Sequence, residues 1–305
     1  DLGRRHRRDD VVRLDSVRPG RALLAAFLLI GLAACTETTT PAEPSQGAYS
    51  RIVALAPNLT ELVFWAGAGE RLVGVSAYSN HPPAALELPI VGDAFMIDHE
   101  RLAVLEPDLL LVWEGGTPAH VIDELRAIGY RVEAMRTNSV ADVARAIVRI
   151  GELTGYAETA NLTAATFEQR LAEIAATHRD RPDITVFYQV SARPLYTVNG
   201  GHFVSEIIEL CGGSNVFGDL GELAPTVEVE AVVERDPEVF LAGSDAGQDA
   251  FSEWQRWPQI AANRYDNRFI LPGDVISRAT PRLLDGAAAV CDVLEEARKR
   301  RDSSG

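Results

Sequence analysis

The chain has 305 residues, and its content of 47% hydrophobic and 24% charged residues excludes collagen, a coiled coil and wholesale disorder. This length is about twice that of a usual single domain, so it predicts two globular units or one large α/β unit. The formal net charge is −15, and the 22 basic and 40 acidic residues from Cys35 onward should repel nucleic acid.

Residues 1–34 have the layout of a secretory signal peptide. A basic segment ends at Arg21, an apolar run follows over residues 22–34, and small residues precede Cys35. The apolar run is too short to cross a hydrocarbon core as a helix, which excludes a polytopic membrane protein. We therefore expect residues 1–34 to be removed on export.

The signal is followed by a candidate lipid anchor. Leu32, Ala33, Ala34 and Cys35 resemble the lipobox of bacterial lipoproteins, in which the cysteine is acylated. A plain signal peptide with a chance cysteine is the alternative. Because the next residues are rich in Thr, Pro and Glu, residues 35–48 are interpreted as a lipidated cysteine and a flexible linker.

Strand and helix patterns alternate from residue 49 onward, as in a parallel α/β sheet. The predicted strands of the first half are 51–55, 72–76, 108–113 and 131–135, and its predicted helices are 60–68, 99–105 and 118–128. This pattern predicts an N-terminal α/β lobe over residues 49–138.

A helical connector follows over residues 139–182. Apolar residues recur there at spacings of three and four, and residues 140–180 contain no proline. Its second helix has roughly 22 residues and would span about 33 Å, which is enough to bridge two domains.

The second half repeats the order of the first. Predicted strands at 184–190 and 238–243 accompany helices that begin near Phe203 and Glu230. ELVFWAGAGERLVG echoes EIIELCGGSNVFG, and Glu100 precedes Pro107 by seven residues as Glu230 precedes Pro237. We therefore predict two Rossmann-like lobes joined by one long bridging helix, with the second lobe at 183–298 and a tail at 299–305.

Two cysteines remain if Cys35 is lipidated. Cys211 and Cys291 form an even pair, and in an oxidising compartment a disulfide is their expected state. Two buried free cysteines are the alternative.

No motif in the sequence favours catalysis. The sequence lacks a nucleophile elbow, a P-loop, a dinucleotide fingerprint and the HEXXH spacing, so we expect a protein that is not an enzyme. The histidines beyond the signal are scattered, which disfavours a metal site.

Aromatic residues stand out after the predicted strands: Tyr78, Phe95, Trp113 and Tyr196. Loops at the carboxyl ends of parallel strands bind ligands in α/β proteins. Four aromatic residues in such loops on both lobes favour a flat or conjugated ligand, whereas partly buried packing is the alternative for each one.

Several segments in this order resemble the substrate-binding proteins for iron siderophores, haem and cobalamin. They are RIVALAPNLTELVFWAGAGERLVGVSAYSNHPP, VGDAF, PDLLLVWEGG, ELCGGSNVFGD and ISRATPRLLDGAAAVC, and the similarity covers about residues 50 to 296. The resemblance implies the helical-backbone metal receptor type of fold. It also implies a monomer that delivers its ligand to an ABC permease dimer with a cytoplasmic ATPase.

SAYSNHPP and WEGG look like the cobalamin branch of that family. Asp274, Arg278 and Tyr196 match pocket residues of this branch, while Ala94 and Ala224 stand where its best-known member has tryptophans. The resemblance implies cobalamin or a related corrinoid as the transported ligand, with no covalent cofactor. A haem or siderophore receptor is the nearest alternative, and a secreted α/β enzyme or sensor domain is a further one.

The resemblance also implies a docking role for Glu100 and Glu230. In the family, one glutamate at the tip of each lobe contacts arginines of the permease, and these two positions match. The alternative is a carboxylate favoured by the dipole of its helix. The implied location is the periplasm, with membrane contact only through the lipid on Cys35.

Overall fold

A computed structural model describes residues 47–93, 95–178 and 180–304. The predicted signal peptide, Cys35 and Ala94 lie outside the described residues. The fold is α/β, with two parallel sheets in a two-lobe arrangement, which confirms the predicted fold class. The exact limits of the lobes and the connector stay predictions.

The first lobe is built on a four-stranded parallel sheet in the order β2-β1-β3-β4. Its elements are β1 Ile52–Ala54, α1 Pro57–Trp65, β2 Leu72–Val75, α2 His99–Leu105, β3 Leu109–Trp113, α3 Ala119–Ala127 and β4 Val132–Met135, with short 3-10 helices at Gly69–Arg71 and Pro83–Glu87. The central strands β1 and β3 are continuous apolar runs, as is typical of a parallel sheet covered by helices on both faces. Helix α1 begins earlier than the predicted Thr60, since Pro57 suits a first helical position.

Two helices connect the lobes: α4 Val140–Thr154 and α5 Ala157–His178. Ser139 and Asp142 form a capping box at the start of α4, and Gly155 ends that helix in the left-handed conformation. Helix α5 has the predicted 22 residues, about 33 Å of length.

The second sheet has the order β10-β9-β5-β8, which is the order of the first sheet when equivalent strands are compared. Its lobe contains β5 Thr185–Gln189, α6 Phe203–Leu210, β8 Ser214–Asn215, α7 Val229–Arg235, β9 Val239–Gly243, α8 Ala261–Arg264, β10 Arg268–Leu271, α9 Gly273–Ile276 and α10 Leu283–Ser303, with 3-10 helices at Ser244–Ala246 and Glu253–Arg256. A hairpin of β6 Ser191–Ala192 and β7 Leu195–Tyr196 follows β5, which the sequence analysis did not predict.

One buried cluster runs through both sheets and packs against α4, α5 and α10. Each lobe also has an outer cluster, which is aliphatic in the first lobe and built around Phe187, Phe240 and Trp254 in the second. A disulfide joins Cys211, at the end of α6, to Cys291 within α10, as predicted. Among the described helices, none combines the length and apolar character needed to span a membrane.

Candidate functional site

A cleft with a volume of about 210 Å³ lies where strands of both sheets end. Its lining residues are Pro57, Asn58, Trp113, Thr137, Phe203, Asp245, Ser277, Arg278 and Ala279. Because both lobes contribute to the lining and the strands present their carboxyl ends, this cleft is the candidate binding site.

Trp113 forms the wall of the cleft on the first lobe. It is the last residue of β3, and Gly115 and Gly116 fold back over its indole ring. A Cβ atom at Gly116 would lie 2.0 Å from Cε3 of Trp113, so only glycine fits there. The two glycines of the segment WEGG therefore allow the backbone to pack directly against the indole ring of Trp113.

The second lobe contributes a polar floor. The Ser277 hydroxyl lies 3.4 Å from a carboxylate oxygen of Asp245 and 3.4 Å from the Tyr188 hydroxyl. Burial raises the pKa of Tyr188, so this phenol is neutral at physiological pH. In the repeat, Gly243 takes the place of Trp113, and a Cβ there would lie 2.1 Å from Asp245. The floor therefore presents hydroxyl and carboxylate groups where the first lobe presents an indole.

Arg278 is held by four partners, three of them across the cleft in the first lobe. Its Nη1 donates to Glu61 at 3.1 Å and to the Asn80 side chain at 2.6 Å. Its Nη2 donates to the Tyr78 carbonyl at 3.2 Å and lies 3.2 Å from Asp274. The structure therefore brings Tyr78, Asp274 and Arg278 together, and their role in binding a ligand stays a prediction.

Glu61 is a site residue that the sequence analysis missed. It lies in α1 with 0% of its surface exposed, and it also accepts hydrogen bonds from Nε of Arg282 at 2.9 Å and from Nη2 at 2.8 Å. These bonds raise the pKa of the Arg282 guanidinium. The available signal was a lone carboxylate within the apolar run TELVFW, at the position echoed by Glu206 in the second lobe.

The four predicted aromatic residues differ in their relation to the cleft. Tyr78 is 80% exposed, with φ of 66°, and Phe95 is 70% exposed on a turn in which Asp93 accepts from the backbone N–H groups of Phe95 and Met96. Trp113 is the last residue of β3, as in the predicted strand 108–113, whereas Tyr196 belongs to β7 and not to a loop. Of the predicted ligand-binding residues, Tyr78, Phe95, Tyr196 and Asp274 are not among the described residues that line the cleft.

Glu100 and Glu230 occupy equivalent positions in the two lobes. Each is exposed in the first turn of a seven-residue helix, α2 or α7. Both helices end at a left-handed residue, Glu106 with φ of 43° and Asp236 with φ of 41°. The equivalent placement agrees with the predicted pair, and their docking role stays a prediction.

The described residues contain no group of three or more His, Cys, Asp or Glu side chains arranged to hold a metal ion. The lining of the candidate site combines two aromatic side chains, Trp113 and Phe203, with several hydrogen-bonding groups.

Comparison with known proteins gives this cleft a family context. A curated vitamin B12-binding protein of Vibrio cholerae serotype O1 is 34% identical over 279 residues, which cover 90% of this chain and 100% of that protein. The crystal structure of the periplasmic vitamin B12 binding protein BtuF of Vibrio cholerae superposes with a TM-score of 0.75 and 34% identity, covering 82% of this chain and 98% of that chain. A periplasmic heme-binding protein from Pseudomonas aeruginosa superposes with a TM-score of 0.67 and 26% identity, covering 80% and 91%.

The family model described as periplasmic binding protein matches residues 52–275, which is most of the chain. With this match and the similarity over nearly the whole length of the Vibrio cholerae relative, the chain belongs to the periplasmic binding protein family.

Proposed function

We propose that this protein captures cobalamin, or a related corrinoid, in the cleft between its lobes and delivers it to the permease of an ABC importer. The observation that carries the proposal is the 34% identity to a vitamin B12-binding protein over that relative's full length. The action is binding and release without chemical change of the ligand.

The two walls of the cleft suit a large conjugated ring with polar substituents. Trp113 offers an aromatic face on one side, and Asp245, Ser277 and Arg278 offer hydrogen-bonding groups on the other. Tyr78 adds an exposed ring on the loop that Arg278 holds. A macrocycle can therefore stack on the first lobe while its edge bonds to the second.

Haem is the second candidate, because a heme-binding protein at 26% identity shares the fold. The side chains that hold haem iron are His, Cys, Met and Tyr. None of these types occurs among the described residues that line the cleft, although the exposed Tyr78 lies on its neighbouring loop. The lining therefore favours a ligand whose metal needs no bond to the protein.

Delivery requires contact with a permease, for which Glu100 and Glu230 are the proposed docking residues. Two exposed carboxylates at equivalent helix starts provide one anionic contact per lobe, as two matching permease subunits require. We place the protein in the periplasm as a monomer, held to a membrane by a lipid on Cys35 after removal of residues 1–34.

Visible absorption spectroscopy tests the ligand assignment directly. Purified protein titrated with cobalamin should retain the pigment through gel filtration at a ratio of one per chain, and haem under the same conditions should be retained more weakly. Retention of haem alone would reject cobalamin as the ligand and favour the second candidate. Retention of neither would reject both.

A further inference from the structure

We propose that Glu61 is a positioning residue that clamps the two lobes together and holds the Tyr78 loop at the mouth of the cleft. This inference deepens the proposed function and rests on it for its ligand-binding consequence. It assigns to Glu61 no contact with the ligand itself.

The first argument is the burial of the carboxylate. Glu61 is fully enclosed, and all its hydrogen bonds across the cleft come from guanidinium groups more than 200 residues away in the chain. Arg282 binds it through two nitrogens in the fork geometry that carboxylates prefer. A buried charge held in this way fixes the position of α1 against the segment that precedes α10.

The second argument is the path from Glu61 to the loop. Arg278 shares one Glu61 oxygen with Arg282, and it donates to Asn80 and to the Tyr78 carbonyl. Asn80 in turn donates to Asp274 at 3.1 Å. Both guanidinium groups are therefore oriented by one carboxylate, and the loop at 78–80 is tied to the second lobe through Arg278.

The third argument is charge balance. The network contains two arginines and two carboxylates, Glu61 and Asp274, so it is neutral as a whole. Removing the Glu61 charge leaves two cations facing one half-exposed carboxylate. Because like charges then repel in a poorly hydrated space, Arg278 should turn outward and release the loop.

The repeat offers a matched control. Glu206 occupies the position of Glu61 in α6, but its carboxylate accepts from the Val140 backbone N–H at 2.8 Å, and no arginine donates to it among the described contacts. Glu206→Gln keeps an acceptor for that bond. The same substitution therefore removes the charge that holds two guanidinium groups in one lobe and keeps the backbone hydrogen bond in the other.

Two measurements on the full-length protein test the clamp. In E61Q, amide hydrogen exchange of the ligand-free protein should rise at residues 76–82 and 274–283 and stay unchanged in β1, β3, β5 and β9. Cobalamin affinity, measured by isothermal titration, should fall roughly tenfold, while E206Q should stay within about twofold of wild type. The double variant E61Q/R282Q should lose no more affinity than E61Q, because the two residues act as one unit.

Exchange that rises equally in all strands would show a merely structural role and overturn the proposal, as would unchanged exchange at both segments. If E61Q does not fold, R282K keeps the charge while breaking the two-nitrogen fork, and it should give the same local exchange pattern. If the wild-type protein does not bind cobalamin, the proposed function is rejected. The comparison of hydrogen exchange between E61Q and wild type then tests the clamp by itself.

Discussion

The two lobes share one frame and differ at the ends of their strands. Asp108 accepts from the backbone N–H groups of Ser50 and Arg51 at the start of β1, and Glu238 accepts from Thr185 at the start of β5. These carboxylates follow Pro107 and Pro237 in the repeat. Strand order, helix ends and strand caps therefore recur in both halves.

The strand ends differ where the cleft begins. Trp113 closes β3, whereas its counterpart Gly243 leaves room for Asp245 beside the backbone. The second lobe also contains an aromatic outer core and a disulfide, and the described first lobe contains neither. The repeated frame therefore places strand ends of both lobes at the cleft, and the side chains at those ends make the two sides of the cleft chemically different.

The largest expected effect is the loss of stability when the disulfide of the second lobe is removed. The bond closes a loop across a sequence separation of 80, for which the chain-entropy model gives about 4 to 5 kcal/mol as an upper value. Replacing Cys211 and Cys291 by Ala should lower the melting temperature by on the order of 10 °C in scanning calorimetry. A thiol reductant should lower the melting temperature of the wild-type protein by a similar amount and leave that of the variant unchanged. Alkylation of both thiols in unreduced protein would exclude the bond.

Protonation of His202 at acid pH should lower the free energy of unfolding. This residue caps α6, where its Nδ1 accepts from the Val204 backbone N–H, and burial lowers its pKa to about 4. The unfolded chain binds this proton near the ordinary histidine pKa of about 6.5, so the free energy of unfolding falls as pH drops from there to about 4. The full contribution is present above this window and amounts to at most about 3 kcal/mol.

Urea titrations at pH 7 and pH 5 measure this effect. His202→Asn keeps a capping side chain without a titrating ring, so its loss of stability between the two pH values should be smaller than that of wild type. Other titrating groups contribute equally to both proteins. Equal losses in the two proteins would contradict the assignment. The first lobe offers no matching group, because α1 begins at Pro57.

Sequence patterns predicted the frame far better than the site. Some features can be read from short stretches of sequence without tertiary information. They are the alternation of strands and helices, the 22-residue helix and the matching segments around Glu100 and Glu230. Glu61 could not be assigned in this way, since its partners lie more than 200 residues away in the chain. The hairpin with Tyr196 was missed because its strands have only two residues each, too few to show a period.

Trp113 supplies an indole ring at a strand end where the second lobe has Gly243, so its removal should reduce cobalamin affinity. Trp113→Ala should cost about 1 to 3 kcal/mol of binding free energy, as expected for a buried aromatic contact. Trp65 is the matched control, because it ends α1 outside the described lining of the cleft and is 40% exposed. Isothermal titration should show a loss for Trp113→Ala and none for Trp65→Ala. The same affinity in both variants would remove Trp113 from the site.

The smallest separate effects are expected at the two docking glutamates, where the lobes are most alike. Exposed ion pairs are weak one at a time and are screened by salt, so Glu100→Arg or Glu230→Arg alone should reduce uptake only mildly. Reversing both places repulsion at two ends of one interface, and association with the permease should then fall steeply while cobalamin affinity stays unchanged.

Uptake of labelled cobalamin by cells, paired with binding by the purified variants, separates docking from ligand capture. Glu158 is the matched control, because it is also an exposed glutamate in the first turn of a helix. Glu158→Arg has the same unfavourable interaction with a helix dipole but lies away from both proposed contacts, so uptake should be normal. Normal uptake with the double reversal would exclude the docking role. A lost affinity for cobalamin in that variant would instead place Glu100 and Glu230 in the ligand site. Unequal single reversals would show that the permease distinguishes the lobes even where the repeat has kept them equivalent.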